Sequence, residues 1–184
     1  DQTVNIYSAF LQNEWKNDRW GILIGGRLDK HNMVDNVIFS PRANLRFNPT
    51  QNINLRLSYS SGFRAPQAFD EDMHIENVGG TVAMIERAKD LKEEKSQSFS
   101  VSADMYHRFG AFQTNLLIEG FYTRLTDVFV LGKPYDRGDG ILVKTRSNGP
   151  GAKVMGLTLE GKVAYLSILQ IQAGLTLQRS RYDE

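Results

Sequence analysis

Carboxylates and one histidine lie close together in the segment 70–74. Asp70 and Asp72 flank Glu71, and His74 follows two residues later. Carboxylate oxygens can hold a hard cation such as Ca²⁺, and an imidazole can ligate a metal or haem iron. A solvated acidic loop tip and an ordinary exposed histidine are the more common origins of such a cluster. The segment is therefore a candidate ligand-binding loop with His74 as a candidate haem-iron ligand, and it predicts no firm metal site.

The sequence lacks the residue patterns on which common catalytic sites depend. It contains three histidines and no cysteine. It also has no Gly-x-Ser-x-Gly elbow, no phosphate-binding loop and no His-Glu-x-x-His zinc motif. We therefore predict that the protein is not an enzyme.

The composition excludes two further classes of protein. The 22 lysines and arginines are balanced by 21 aspartates and glutamates and are scattered along the chain, so no basic stripe favours nucleic acid. No stretch approaches the roughly 20 apolar residues of a membrane-spanning helix. Residues 1–30 lack a signal peptide, which leaves either a cytoplasmic protein or a mature or excised piece of a longer one.

Apolar and polar residues alternate with a period of two through most of the chain, which is typical of β-strands. Two of the segments, 4–15 and 114–131, carry apolar residues on both faces, and we assign them from their β-rich composition. The pattern predicts an all-β fold, an antiparallel up-and-down meander of about eight strands. The predicted strands cover residues 4–15, 20–30, 39–48, 53–63, 98–109, 114–131, 155–165 and 170–178.

The connections between these strands alternate in length. Short turns are predicted near 16–19, 48–52, 110 and 166–169, and long connections at 31–37, 65–90 and 132–150. Outer-membrane barrels combine short periplasmic turns with long extracellular loops. Aromatic residues beside the short turns would form an interfacial girdle; they are Trp15, Trp20, Phe47, Phe109 and Phe112.

One side of the predicted sheet carries arginines opposite an apolar side. Arg42, Arg46, Arg56 and Arg64 all fall on polar positions. In a wide barrel this side would line the lumen, and in a soluble sandwich it would face solvent. Alternation alone leaves open a transporter, a small structural outer-membrane barrel and a soluble β-sandwich binding module.

Three stretches resemble the barrel of TonB-dependent outer-membrane receptors. Residues 39–66 read FSPRANLRFNPTQNINLRLSYSSGFRAP, which is similar to that family's "SPR" strand, "NPT" periplasmic turn and strand ending in "GFRAP". Residues 90–99, DLKEEKSQSF, resemble the family's entry into the next strand. Residues 152–160, AKVMGLTLE, resemble a further strand of the barrel.

The resemblance implies a barrel of about 22 strands in the outer membrane of a Gram-negative bacterium. It also implies an N-terminal plug and uptake of a scarce small molecule such as a ferric siderophore, haem or cobalamin, powered by the TonB complex. Residues 1–184 would then be a partial barrel domain in contact with outer-membrane lipid, with the plug domain through which TonB acts absent from this sequence.

Haem-uptake members of that family carry a "FRAP" box, a loop histidine and an "NPNL"-like box in this order. Residues 63–66, His74 and residues 89–91 follow the same order, although Ala88 and Lys89 stand where the family has Asn-Pro. The resemblance therefore makes haem or a ferric chelate the expected transported ligand rather than a resident cofactor. The expected ligand-binding residues are Arg64, His74, Asp70 and Asp72.

Overall fold

The computed structural model describes residues 4–66, 83–88, 90–136, 138, 142–166 and 168–183. No helix within these ranges is long and apolar enough to cross a membrane. The regular structure consists of strands, which are, in chain order, β1 (Ile6–Lys16), β2 (Trp20–His31), β3 (Ile38–Thr50), β4 (Ile53–Arg64), β5 (Ala83–Arg87), β6 (Glu94–Phe109), β7 (Phe112–Thr126), β8 (Phe129–Leu131), β9 (Tyr135–Asp136), β10 (Leu142–Asn148), β11 (Ala152–Tyr165) and β12 (Leu169–Tyr182).

Eight long strands form one antiparallel sheet in the order β1-β2-β3-β4-β6-β7-β11-β12. This arrangement confirms the predicted all-β meander. The strands are 11 to 16 residues long, about twice the length of a typical strand in a soluble domain. A tilted strand needs about 9–11 residues to cross a bilayer. Every strand of this sheet is long enough to do so.

The strand register gathers apolar side chains on one side of the sheet, here called the apolar face. Ile22 lies opposite Leu45, Leu45 opposite Leu57, and Leu57 opposite Val101. No other part of the described structure covers these side chains. Leu175 in β12, on the same face, is 58% exposed. A soluble sandwich would bury such a face against a second sheet. The described residues provide no such cover, which argues against the sandwich.

Short and long connections lie at opposite ends of the sheet, as the sequence predicts. The short-turn end holds residues 17–19, 51–52, 110–111, 166 and 168, and aromatic side chains gather beside it on the apolar face. The rings of Trp20 and Phe47 stack with centroids 4.2 Å apart, and those of Phe112 and Tyr165 lie 4.9 Å apart.

A second, small sheet lies within the long connections. Strand β10 pairs in parallel with β5 and antiparallel with β8 and β9. The long connections predicted at 65–90 and 132–150 thus contain short strands that the sequence pattern did not predict. The single strand predicted over 114–131 is also wrong, because Asp127 has a φ of 55° and ends β7 before β8 begins.

Apolar burial within the described residues is confined to the neighbourhood of the long connections. Val34, Ile38 and Ala65 form a small cluster against which Phe63 packs. Val143 of β10 is fully buried. The long sheet thus has a packed cap at one end and open faces elsewhere, and its cohesion comes chiefly from backbone pairing and cross-strand contacts.

Candidate functional site

The side of the sheet opposite the apolar face is the polar face, and β2, β3 and β4 make it cationic. Arg46 lies directly opposite Arg56, and Arg42 lies opposite Ser60. Gly21 of β2 leaves space for the Arg46 guanidinium, whose Nε lies 3.2 Å from the position that a Cβ would take. The glycine therefore lets an arginine lie across its neighbouring strand. These positions confirm the predicted polar side of the sheet.

Two shallow depressions lie along these arginines. One has a volume of about 300 Å³ and the other about 520 Å³. Small-molecule sites usually fall between about 300 and 1,000 Å³ but are more enclosed than these. The sheet thus supplies one wall of a site. The smaller depression is lined by Glu14, Gly21, Leu23, Asn44, Leu45, Arg46, Arg56 and Ser58, and the larger includes Arg27, Ser40 and Arg42.

A buried polar network at the loop end of β1 and β2 was not predicted. Asp29 is 2% exposed and accepts hydrogen bonds from Ser8 Oγ at 2.5 Å and from Arg27 Nε at 2.7 Å. His31 is fully buried, its Nδ1 accepts the Met33 N–H at 3.0 Å, and its Nε2 has no hydrogen-bond partner among the described residues. Continuing the period-two alternation beyond residue 27 would have placed both side chains on the polar face.

Arg64 lies at the rim, as the last residue of β4. It lies opposite Glu94 in the register, and its guanidinium carbon is 5.6 Å from the centroid of the Phe129 ring. The Glu94 carboxylate accepts the backbone N–H of Phe129 at 3.0 Å. The main sheet and the small sheet therefore meet beside Arg64.

The other predicted site residues, Asp70, Asp72 and His74, lie outside the described residues. Their proximity to Arg64 therefore stays a prediction. Within the described part of the chain, no group of three or more histidine, aspartate or glutamate side chains could hold a metal ion.

A single side chain, Asn148, ties the two longest connections together. Its Oδ1 accepts the Lys92 N–H at 2.7 Å, and its Nδ2 donates to the carbonyl oxygens of Lys92 at 3.0 Å and Asp127 at 2.7 Å. Beside it, the Ala88 N–H donates to the Arg146 carbonyl at 2.9 Å. The connection before β6 and the connection before β11 therefore form one hydrogen-bonded unit.

We expect Asn148→Ala to loosen this unit. Three hydrogen bonds of about 1 kcal/mol each are lost, so opening should be favoured by roughly 2–3 kcal/mol. Hydrogen exchange at the Lys92 amide should accelerate about 30- to 160-fold, the ratio that corresponds to this free energy. Asn54→Ala is the matched control, because Asn54 bonds Asn48 at the other end of the sheet. Equal exchange rates at Lys92 in Asn148→Ala and the parent protein would contradict the assignment.

Comparison with known proteins places the chain in a family. The profile of the family described as TonB dependent receptor-like, beta-barrel matches residues 1–184. No curated protein sequence matches the chain.

Solved structures of similar fold include three proteins of low sequence identity to this chain. The FrpB iron transporter from Neisseria meningitidis is 18% identical with a TM-score of 0.71, and the match covers 97% of this chain and 26% of that one. The siderophore receptor PirA from Pseudomonas aeruginosa is 17% identical with a TM-score of 0.79, and the match covers 98% of this chain and 35% of that one. A mutant of the ferric enterobactin receptor PfeA from Pseudomonas aeruginosa is 20% identical with a TM-score of 0.72, and the match covers 95% of this chain and 26% of that one. The chain spans about a quarter to a third of their length. With its family profile matched from end to end and its meander shared with these barrels, the chain belongs to the TonB-dependent receptor-like β-barrel family.

Proposed function

We propose that this chain forms part of the wall of an outer-membrane receptor that takes up a scarce ferric chelate. The observation that carries the proposal is the division of eight long strands into an apolar face and an arginine-bearing polar face. Apolar side chains would contact lipid, and the polar face would line a hydrated lumen. Uptake through such a lumen breaks no covalent bond, in keeping with the absence of catalytic motifs from the sequence.

The spacing of aromatic side chains supports a membrane position for the apolar face. From Phe112 to Tyr122, β7 rises about 34 Å along the strand, or about 24 Å along the membrane normal at a tilt of about 45°. Outer-membrane barrels have an apolar band about 25 Å tall between two aromatic girdles. Between these two residues, this face of β7 carries Thr114, Leu116, Ile118 and Gly120 and no charge.

The orientation follows from the connections. Barrels of this kind place short turns in the periplasm and long loops outside the cell. The small sheet and Arg64 would then face the medium in which the ligand arrives. Energy would reach the transporter through a plug domain and the TonB complex, which are partners that the family resemblance implies.

The ligand class follows from the chemistry of the polar face. Guanidinium groups bind carboxylates and related anions through paired donors, so Arg42, Arg46, Arg56 and Arg64 suit an anionic iron chelate. The iron transporter and siderophore receptors of similar fold are named for such cargo. Haem and cobalamin are alternative ligands, and His74, Asp70 and Asp72 would contribute to binding from the loop.

Substitution of Arg64 tests this proposal in the full receptor chain. We expect Arg64→Gln to weaken binding of a carboxylate-type ferric siderophore about 10- to 100-fold, because a hydrogen bond to a charged group contributes roughly 1.5–3 kcal/mol. The dissociation constant would be measured by fluorescence quenching, and uptake would be measured with radioactive iron.

Arg108→Gln is the matched control, since Arg108 lies on the polar face at the short-turn end and donates to the Gly110 carbonyl at 3.1 Å. A His74→Ala variant tested with haem separates the two ligand classes. The proposal of a ferric chelate would be overturned in favour of haem by two results together. Arg64→Gln would leave binding of the ferric siderophore unchanged, and His74→Ala would abolish binding of haem.

A further inference from the structure

Basic side chains gather on the apolar face near the loop end of β7, β11 and β12. Arg124 lies directly opposite Lys153, and Lys153 lies directly opposite Arg181. Arg179 lies two residues before Arg181 on the same face. These four residues, Arg124, Lys153, Arg179 and Arg181, are called the basic patch.

The register brings like charges unusually close together. Residues directly opposite each other in an antiparallel pair have Cβ atoms about 4.5–5.5 Å apart, and like charges at this distance repel. Three cations in one row across three strands are therefore unfavourable unless an anion lies among them. The next residue of the row, Gln97 of β6, is polar and uncharged.

Only part of this charge is neutralised by the described residues. Asp183 accepts a bond from Lys153 Nζ at 2.5 Å. Within the part of the chain that the structure describes, no ion pair involves Arg124, Arg179 or Arg181. Asp183 thus neutralises Lys153 alone, and the described residues leave the three guanidinium groups without a carboxylate partner.

The basic patch lies at one margin of the apolar band. Arg179 shares a row with Met155 and Tyr122. The next row toward the short-turn end contains Leu157 and Leu177. No charge interrupts this face of β12 from Leu169 to Leu177. If the apolar band lies in a membrane, as in the proposed function on which this step rests, the patch lies at the level of the lipid headgroups on the loop side.

We infer that the basic patch binds the phosphate-bearing headgroup of an anionic membrane lipid. Guanidinium groups match phosphate geometry with paired N–H donors. The acyl chains of the same lipid would lie along the leucines below the patch, which an inorganic anion could not contact. Because the surface offers contacts for both the headgroup and the acyl chains, it favours a lipid over a free anion.

The test uses the full receptor chain in a non-ionic detergent, with lipid binding followed by native mass spectrometry. The probes are diphosphorylated lipid A, phosphatidylcholine and inorganic phosphate. Each cation near an anionic lipid surface contributes about fivefold to binding, so Arg124→Gln with Arg181→Gln should weaken lipid A binding roughly 30-fold. Phosphatidylcholine binding should stay unchanged.

A variant carrying Lys16→Gln and Arg19→Gln is the matched control, because it removes the same charge at the short-turn end. Equal lipid A binding by the patch variant and the control would overturn the inference. Binding of inorganic phosphate as tight as that of lipid A would also overturn it, by assigning the patch to a free anion. Ferric chelate binding, measured on the same variants, tests the proposed function separately, since the patch is on the opposite face from Arg64.

Discussion

Replacing Leu175 by arginine is expected to destabilise the membrane-inserted receptor by about 2–4 kcal/mol. Leu175 lies in the middle of the apolar face of β12, opposite Leu159. Arginine on the lipid face of an outer-membrane barrel costs this much near the bilayer midplane, because its charge must be desolvated or drawn toward the interface. In a soluble protein, an exposed position such as that of Leu175 would tolerate arginine. The size of the destabilisation therefore shows whether Leu175 faces lipid or water.

The adjacent residue provides the control. Thr176 points to the polar face, where its hydroxyl lies 3.1 Å from that of Thr158. Thr176→Arg should cost no more than about 1 kcal/mol, the value of one cross-strand pair. Both variants would be unfolded by denaturant in phospholipid vesicles. Similar destabilisation of the two variants would contradict a lipid-facing apolar face and with it the proposed function.

Gly156→Val is expected to have the second large effect on the stability of the receptor. A Cβ on Gly156 would lie 2.5 Å from the Phe121 ring and 2.8 Å from the Leu177 carbonyl oxygen. The ring could rotate away, but the carbonyl belongs to the pairing of β11 with β12 and cannot move without disturbing it. Overpacking of this kind costs about 1–3 kcal/mol. We expect Gly156→Val to reduce the fraction of receptor that resists heat denaturation in detergent.

Gly161 offers the matched substitution on the same strand. A Cβ there meets nothing within 4 Å, and its position on the apolar face suits a valine. Gly161→Val should leave assembly unchanged or improve it. A loss of heat resistance in Gly161→Val equal to that in Gly156→Val would show that any valine disturbs β11, and would refute the steric account.

The contact between Phe121 and Gly156 also explains where sequence periodicity was weakest. Residues 114–131 carry apolar side chains on both faces because Leu117, Phe121 and Leu125 lie on the polar face, where Phe121 covers a glycine of the neighbouring strand. Local alternation cannot reveal such a pair, since the two residues come from different strands. The strand itself was still predicted, because β-branched and aromatic residues favour extended backbone.

The small sheet could not be predicted for a related reason. Its pairing of Leu142 with Ala83 joins segments far apart in the chain, and neither segment alternates clearly. The arginines of the polar face were predicted because they lie on regular strands. The Asp29 and His31 network was missed because burial depends on contacts from other elements. Asp70, Asp72 and His74 stay predictions.

The parallel pairing of β5 with β10 constrains the order in which the protein can assemble. Each long strand pairs with the next long strand along the chain, so the main sheet can grow strand by strand, and the entropic cost of closing its longer connections rises only slowly with their length. Strand β10 reaches β5 only across the whole β6–β7 hairpin, and Asn148 reaches Lys92 by the same route. The packed cap formed by the long connections would therefore be completed after the main sheet beneath it, and a chain halted early in assembly would present its long strands without the finished cap.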